Sequence, residues 1–201
     1  MFGATGPADY RYDGKTDKQI VRETMRASGF TDADVDARMD AVVDAYLVEL
    51  AAEMDDTGHR STLLPGVAEI IDAVDACEGV MLGLLTGNVV RGAEHKLRAV
   101  GVDFARFQVG AFGSDHEVRH ELPAIAQARA SAALGRAIPG ASVIVIGDTP
   151  SDVACARPIG ARTIAVATGS YSREQLAACG PDAVFDNLAD TAAVLAAILD
   201  A

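Results

Sequence analysis

The sequence predicts an α/β protein: a parallel sheet with helices on both faces, preceded by a small all-helical segment. Three observations carry that prediction. From Leu63 onward, short runs rich in Val, Ile and Leu alternate with helix-period stretches to the end of the chain, the pattern of a sheet whose parallel strands are joined through helices. The apolar runs stop abruptly at small polar clusters, as in VMLGLLTGN (80–88) and ASVIVIGDTPSD (141–152), as buried strands do when they run out into loops. Residues 16–54, by contrast, carry apolar side chains three and four apart with no strand-like run.

The elements follow in order. Residues 1–15 are polar and Gly-rich, without a period. TDKQIVRETMRASGF begins a helix, with Thr16 and Gln19 at capping-box spacing and Gly29 as its stop. TDADVDARMDAVVDAYLVELAAEM opens a second helix, with Thr31 and Asp34 at the same spacing and a stripe through Val35, Met39, Val42, Tyr46, Leu50 and Met54. DDTGHRST (55–62) is a polar break and reads as a linker. A helix entered through Pro65 comes next, then the strand VMLGLLT, a helix ending at Gly101, the short strand FQVGAF and the helix LPAIAQARASAAL. SVIVIGD is a strand, PSDVACARPIG a short helix and ARTIAVA a strand. Ser172 caps the helix SREQLAACGP, DAVFDN is the last strand, and LADTAAVLAAILDA the closing helix. The expected division is therefore 1–62, an N-terminal segment with a helical cap, and 63–201, an α/β core.

Composition narrows the function. Half of the 201 residues are hydrophobic, enough for a substantial core, and the formal net charge is −12. That charge argues against nucleic acid or an anionic membrane as partner, because phosphate surfaces call for Lys and Arg. Cys77, Cys155 and Cys179 are odd in number and far apart, which suits neither a disulfide framework nor a zinc site and favours a reducing cytoplasm. The apolar runs are strand-sized, and MFGATGPADYRYDGKTD has no signal-peptide core.

The polar clusters are where a parallel sheet binds ligands, beyond the carboxyl ends of its strands. Thr86-Gly87-Asn88 precedes a helix whose first N–H groups and partial positive charge suit an anion. Gly87 permits close approach, and Thr86 offers a hydroxyl donor. The plainer alternative is a strand-to-helix turn with Asn88 as N-cap. Asp148 ends the apolar run VIVIG and Asp152 follows one turn later, so both carboxylates can face one pocket; hard oxygen ligands of this kind suit Mg²⁺ together with a substrate phosphate. The alternative gives Asp148 a turn role and Asp152 a place in a helix's first turn. Arg119 stands at a helix start, where a cation is unfavourable. That placement suggests a partner carboxylate or phosphate, unless Arg119 is simply solvated beside Glu117 and Glu121.

Taken in order, these clusters resemble the motifs of the haloacid dehalogenase-like (HAD) hydrolases. LLTGN looks like the phosphate-binding second motif, Arg119 like the basic third, and VIVIGDTPSD like the acidic fourth. LPGV before the first core helix and the turn TGSYS resemble the phosphoglycolate-phosphatase-like branch. The resemblance implies a Rossmann-like sheet with a helical cap and Mg²⁺-dependent hydrolysis of a small phosphorylated metabolite through an aspartyl-phosphate. Thr86, Gly87, Asn88 and Arg119 would hold the phosphoryl group, and Asp148 and Asp152 would serve the metal. Arg119 and Asp152 are the catalytic candidates. Arg11, Lys15 and Arg22 in the cap could touch the leaving group, although they read first as solvated surface charge.

One departure stands out. The family's first motif, an apolar strand ending Asp-x-Asp-Gly-Thr with the nucleophile, has no counterpart here. Asp13, in YDGKTD, follows no strand that would position it. The first central strand is therefore expected to be missing, and the chain as it stands to be inactive, through a truncated start. The open edges this leaves would cost about 1–3 kcal/mol per buried unpaired group and invite association, a homo-oligomer included. The alternatives are a phosphate- or metabolite-binding module without catalysis, or an interaction protein on the same fold.

Overall fold

The computed structural model describes residues 2–56 and 61–200. Part of the expected linker, 57–60, lies outside the described residues. Three helices open the chain: α1 (Asp17–Ala27), α2 (Asp32–Asp36) and α3 (Met39–Asp55). The body then runs α4 (Val67–Asp75), β1 (Gly83–Thr86), α5 (Val90–Ala99), β2 (Val109–Phe112), α6 (Leu122–Leu134), β3 (Ile144–Gly147), α7 (Pro150–Ala156), β4 (Arg162–Val166), α8 (Arg173–Ala177), β5 (Ala183–Phe185) and α9 (Thr191–Leu199). The α/β class is as the alternation predicts.

The N-terminal helices follow their local signals with two differences. Thr16 caps α1 by accepting from Gln19 N–H at 3.1 Å, but the Gln19 side chain donates to Glu23 at 2.7 Å, so the reciprocal half of the expected capping box is absent. The second expected helix divides in two. Thr31 and Asp34 do form a full capping box on α2, and a turn at Ala37–Arg38 then restarts the chain as α3. The stripe nevertheless buries as one face: Met25, Val35 and Met39 form a small core with Phe30 and Val43 around it. α3 also packs on α5, where a Cβ on Gly92 would lie within 3.6 Å of both Leu50 and Tyr46.

All strand pairs are parallel. β4 is covered on both faces, which explains its unbroken apolar run. Ile164 packs with Ile70 and Val74 of α4 and Val194 and Ile198 of α9. Its neighbour Ala165 points the other way, against Val153 of α7 and Leu176 of α8. The strands do not make one sheet: β1 pairs with β2, and β3, β4 and β5 pair in that order. Leu85 of β1 packs against the cluster of Val145, Cys155 and Ala156, so the two sheets share a core although no ladder among the described residues joins them. The gap falls between β1 and β3, where the sequence lacks its expected central strand. Ile146 of β3 is 40% exposed, which is high for an apolar residue in such a strand.

Candidate functional site

The carboxyl ends of β1 and β3 open on one cleft of about 280 Å³, lined by Thr86, Gly87, Asn88, Arg119, Asp148 and Asp152 together with Tyr12, Gly14, Lys15, Asp17, Ile20, Lys96 and Thr149. Every residue singled out for the site from the sequence lines this cleft.

On the β3 side the chain leaves Gly147 and enters α7 through a capping box. Thr149 N–H donates to Asp152 Oδ2 at 3.0 Å, the Thr149 hydroxyl donates to the same oxygen at 2.8 Å, and Asp152 N–H donates to Thr149 Oγ1 at 3.2 Å. Asp152 Oδ1 accepts from Arg119 Nη2. Their side chains are only 13% (Arg119) and 7% (Asp152) exposed. Asp152, expected also as a metal ligand, thus has both oxygens engaged, and its geometry is that of the group that orients Arg119. A Cβ on Gly147 would stand 2.2 Å from Asp152 Cγ, so only glycine fits there. Arg119 lies in a short 3-10 turn ahead of α6, and its buried Nε has no hydrogen-bond partner. Beside the pair, burial pushes the Cys155 thiol up to about 11, which leaves it protonated and inert.

Asp148 is differently placed. Burial and the neighbouring Asp152 carboxylate raise its pKa, with Asp13 adding to them and Arg119 opposing. Gly169, in the turn after β4, leaves room for it: a Cβ there would fall 2.3 Å from Asp148 Oδ2. A half-buried carboxylate beside a second one is stabilised by a cation. Mg²⁺ would fit this donor set with Asp148 as its protein ligand, since that ion commonly takes one or two carboxylates and completes its shell with water and phosphate oxygens. Among the described residues, no group of three or more His, Cys, Asp or Glu side chains converges as a metal cage.

On the β1 side, Thr86 Oγ1 accepts from Asn88 N–H at 3.2 Å and from Asn88 Nδ2 at 2.8 Å. Both acceptor positions are filled, so the hydroxyl hydrogen remains to donate into the cleft. Lys96 Nζ donates to Asn88 Oδ1 at 2.5 Å, which fixes that amide's orientation. Asn88 is not the N-cap of α5. That position is Val89, whose side chain cannot cap. Instead Val89 N–H donates to Asp17 Oδ2 at 2.8 Å, and Val90 N–H to Ser114 Oγ at 2.9 Å.

Asp17, Lys96 and Gly14 were not among the residues read for the site. Asp17 looks like an ordinary first-turn acid of α1, and nothing local announces that it reaches Val89, 72 positions away. Of the cap cations, Lys15 lines the cleft and donates to Glu23 at 2.5 Å. Arg22 is bound to Glu117 at 2.5 Å and Asp36 at 2.6 Å, and Arg11 lies 5.8 Å over the Tyr171 ring.

Comparison with known proteins bears on the fold. Residues 122–191, which carry Asp148 and Asp152, match the HAD-hydrolase-like family model. A search of curated proteins found no match. Among solved structures, a hydrolase from Pseudomonas syringae is 21% identical with a TM-score of 0.66, over 92% of this chain and 80% of that one. A predicted phosphoglycolate phosphatase from Haemophilus somnus 129pt is 20% identical with a TM-score of 0.61, over 87% and 73%. CbbY from Rhodobacter sphaeroides, solved with phosphate, is 19% identical with a TM-score of 0.65, over 88% and 75%. Over most of its length the chain has the fold of these hydrolases, and its residues 122–191 match the HAD-hydrolase-like sequence model.

Proposed function

We propose that this chain carries the phosphate- and metal-binding half of a hydrolase acting on small phosphate monoesters, and that the attacking carboxylate is supplied from beyond residues 1–201. The observation that carries this reading is the convergence of Thr86, Arg119, Asp148 and Asp152 on one cleft between two parallel sheets that no ladder joins among the described residues. One of the similar structures is a predicted phosphoglycolate phosphatase, and another, CbbY, was solved in complex with phosphate.

In this reading the Thr86 hydroxyl and the Arg119 guanidinium hold phosphoryl oxygens, and Asp152 keeps Arg119 aimed into the cleft. Asp148 would hold Mg²⁺, which when bound neutralises charge on the transferring phosphoryl group. A carboxylate at the end of a strand inserted between β1 and β3 would attack phosphorus. The bond to the leaving oxygen breaks, and water then hydrolyses the aspartyl-phosphate. Residues 1–62 act as a cap that excludes water. The three free cysteines fit a reducing cytoplasm, and no described helix is long and apolar enough to cross a membrane.

The test is a paired assay of para-nitrophenyl phosphate hydrolysis with Mg²⁺. One form is the 201-residue chain, and the other is extended upstream by an apolar strand ending Asp-x-Asp-Gly-Thr. The short form should show no turnover, because chemistry needs a nucleophile held within reach of phosphorus. The extended form should be active, and Asp148→Asn within it should abolish that activity. Equal activity of the two forms would place the attacking group inside residues 1–201 and overturn the reading. An extended form that binds phosphate without turnover would support the second reading, a phosphate- or metabolite-binding protein without catalysis.

A further inference from the structure

We propose that Asp17 is a built-in competitor for the phosphate position at the start of α5, so that an incoming phosphate must displace its carboxylate and the strap that carries it. The proposal rests on the reading of residues 86–88 as a phosphate site.

The first N–H groups of a helix have no partner within it, and they face water, a cap or a ligand. In α5 the foremost of them, Val89 N–H, is held by Asp17 Oδ2 at 2.8 Å. Asp17 therefore puts a negative oxygen where the geometry of the helix start invites an anion. A phosphate held by residues 86–88 would stand beside that carboxylate in the same cleft, and at close range the two anions repel.

The carboxylate is delivered by a strap, residues 14–17, that crosses the cleft. At one end, a Cβ on Gly14 would fall 2.5 Å from Ser151 Oγ, so the strap lies directly on the start of α7. At the other end, a Cβ on Gly87 would fall 2.1 Å from the Lys15 carbonyl oxygen. Asp17 N–H donates to Gly87 O at 2.8 Å. Thr16, fully buried, donates from Oγ1 to Glu117 O at 2.6 Å. The strap thus touches both sides of the proposed site and seats Asp17 by main-chain contacts as well as by its own side chain.

The seating is uncomfortable for Asp17. Burial raises its pKa, against the pull of the Val89 hydrogen bond and of Lys96. Tyr46, half-buried beside this carboxylate, is pushed up to about 12, by burial first and by the Asp17 charge second. A carboxylate held this way has given up hydration that it regains when displaced, so the contact is poised for exchange with a better anion.

The experiment titrates inorganic phosphate into the 201-residue chain and into Asp17→Asn, Asp17→Ser, Asp13→Asn and Thr86→Val, following backbone amide shifts by NMR, with thermal unfolding as the check on folding. Asp17→Asn and Asp17→Ser keep a neutral acceptor for Val89 N–H and should bind phosphate about tenfold more tightly than the parent. Asp13→Asn removes the same charge from the segment next to the strap, where Asp13 pairs with Arg11 at 4.0 Å, and should shift affinity by about twofold at most. Thr86→Val should lose binding. Unchanged affinity in both Asp17 variants, or an equal gain in Asp13→Asn, overturns the competitor. If binding is still lost in Thr86→Val, the phosphate site itself then stands. Absence of binding in every form, both Asp17 variants included, overturns the competitor and the phosphate site together.

Discussion

The site depends on a few carboxylates held in different ways. Asp152 is buried, capped and paired, so removing it leaves Arg119 as a buried charge without a partner. Asp152→Ala should lower unfolding free energy by about 3–5 kcal/mol, read from urea denaturation. Asp148 carries the opposite sign. Its folded-state pKa is raised above the ordinary value of 3.8, so between that value and the raised one the folded state binds more protons than the unfolded state. Stability then falls as pH rises through this window, and the penalty persists above it. Asp148→Asn should therefore be more stable than the parent at pH 7, and the difference should vanish below the ordinary aspartate range. Added Mg²⁺ should raise the thermal midpoint of the parent chain and leave that of Asp148→Asn unchanged. An equal response in both would remove Asp148 as the ligand.

Elements were legible wherever their signals were local. The box of Thr31 and Asp34, Gly29 after α1, Gly101 after α5 and Ser172 ahead of α8 all stand where a side chain or a backbone angle defines an end within four residues. Thr31→Ala should cost about 1 kcal/mol, measured as a loss in thermal stability. The break between α2 and α3 was not legible, because the apolar stripe runs through it and buries on both sides. Gly66 shows how an element's start depends on distant chain. It precedes α4 at φ 83°, and a Cβ there would meet the Leu188 backbone at 1.9 Å. Gly66→Ala combines a left-handed angle with a backbone clash and should destabilise by about 2–5 kcal/mol in chemical denaturation.

At the scale of the whole molecule, the division of the sheet is the dominant feature. β1 and β3 each have hydrogen-bonding partners on one side only, among the described residues. A parallel strand inserted between them would complete two ladders and cover apolar surface such as Ile146, 40% exposed. The extended form described above should thus melt at a higher temperature than the 201-residue chain, independently of any activity. No rise in melting temperature would show that the two sheets do not accept a strand.

The sequence by itself determined the α/β class, the order of strands and helices, and the residue types at the carboxyl ends of β1 and β3. These rest on periodicity and on turn chemistry that act over a few residues, as in the apolar run that stops at Asp148 or the cap at Thr149. Tertiary structure alone decided how those ends are wired. It turned Asp152 toward Arg119, 33 positions away, and it brought Asp17 over Val89, where the plainer alternative had Asn88 as the cap. No local pattern encodes such pairings, because a carboxylate in a helix's first turn satisfies the helix dipole equally well whether it faces water or a distant N–H. Which of these happens is settled only when buried polar groups must find partners in the folded chain.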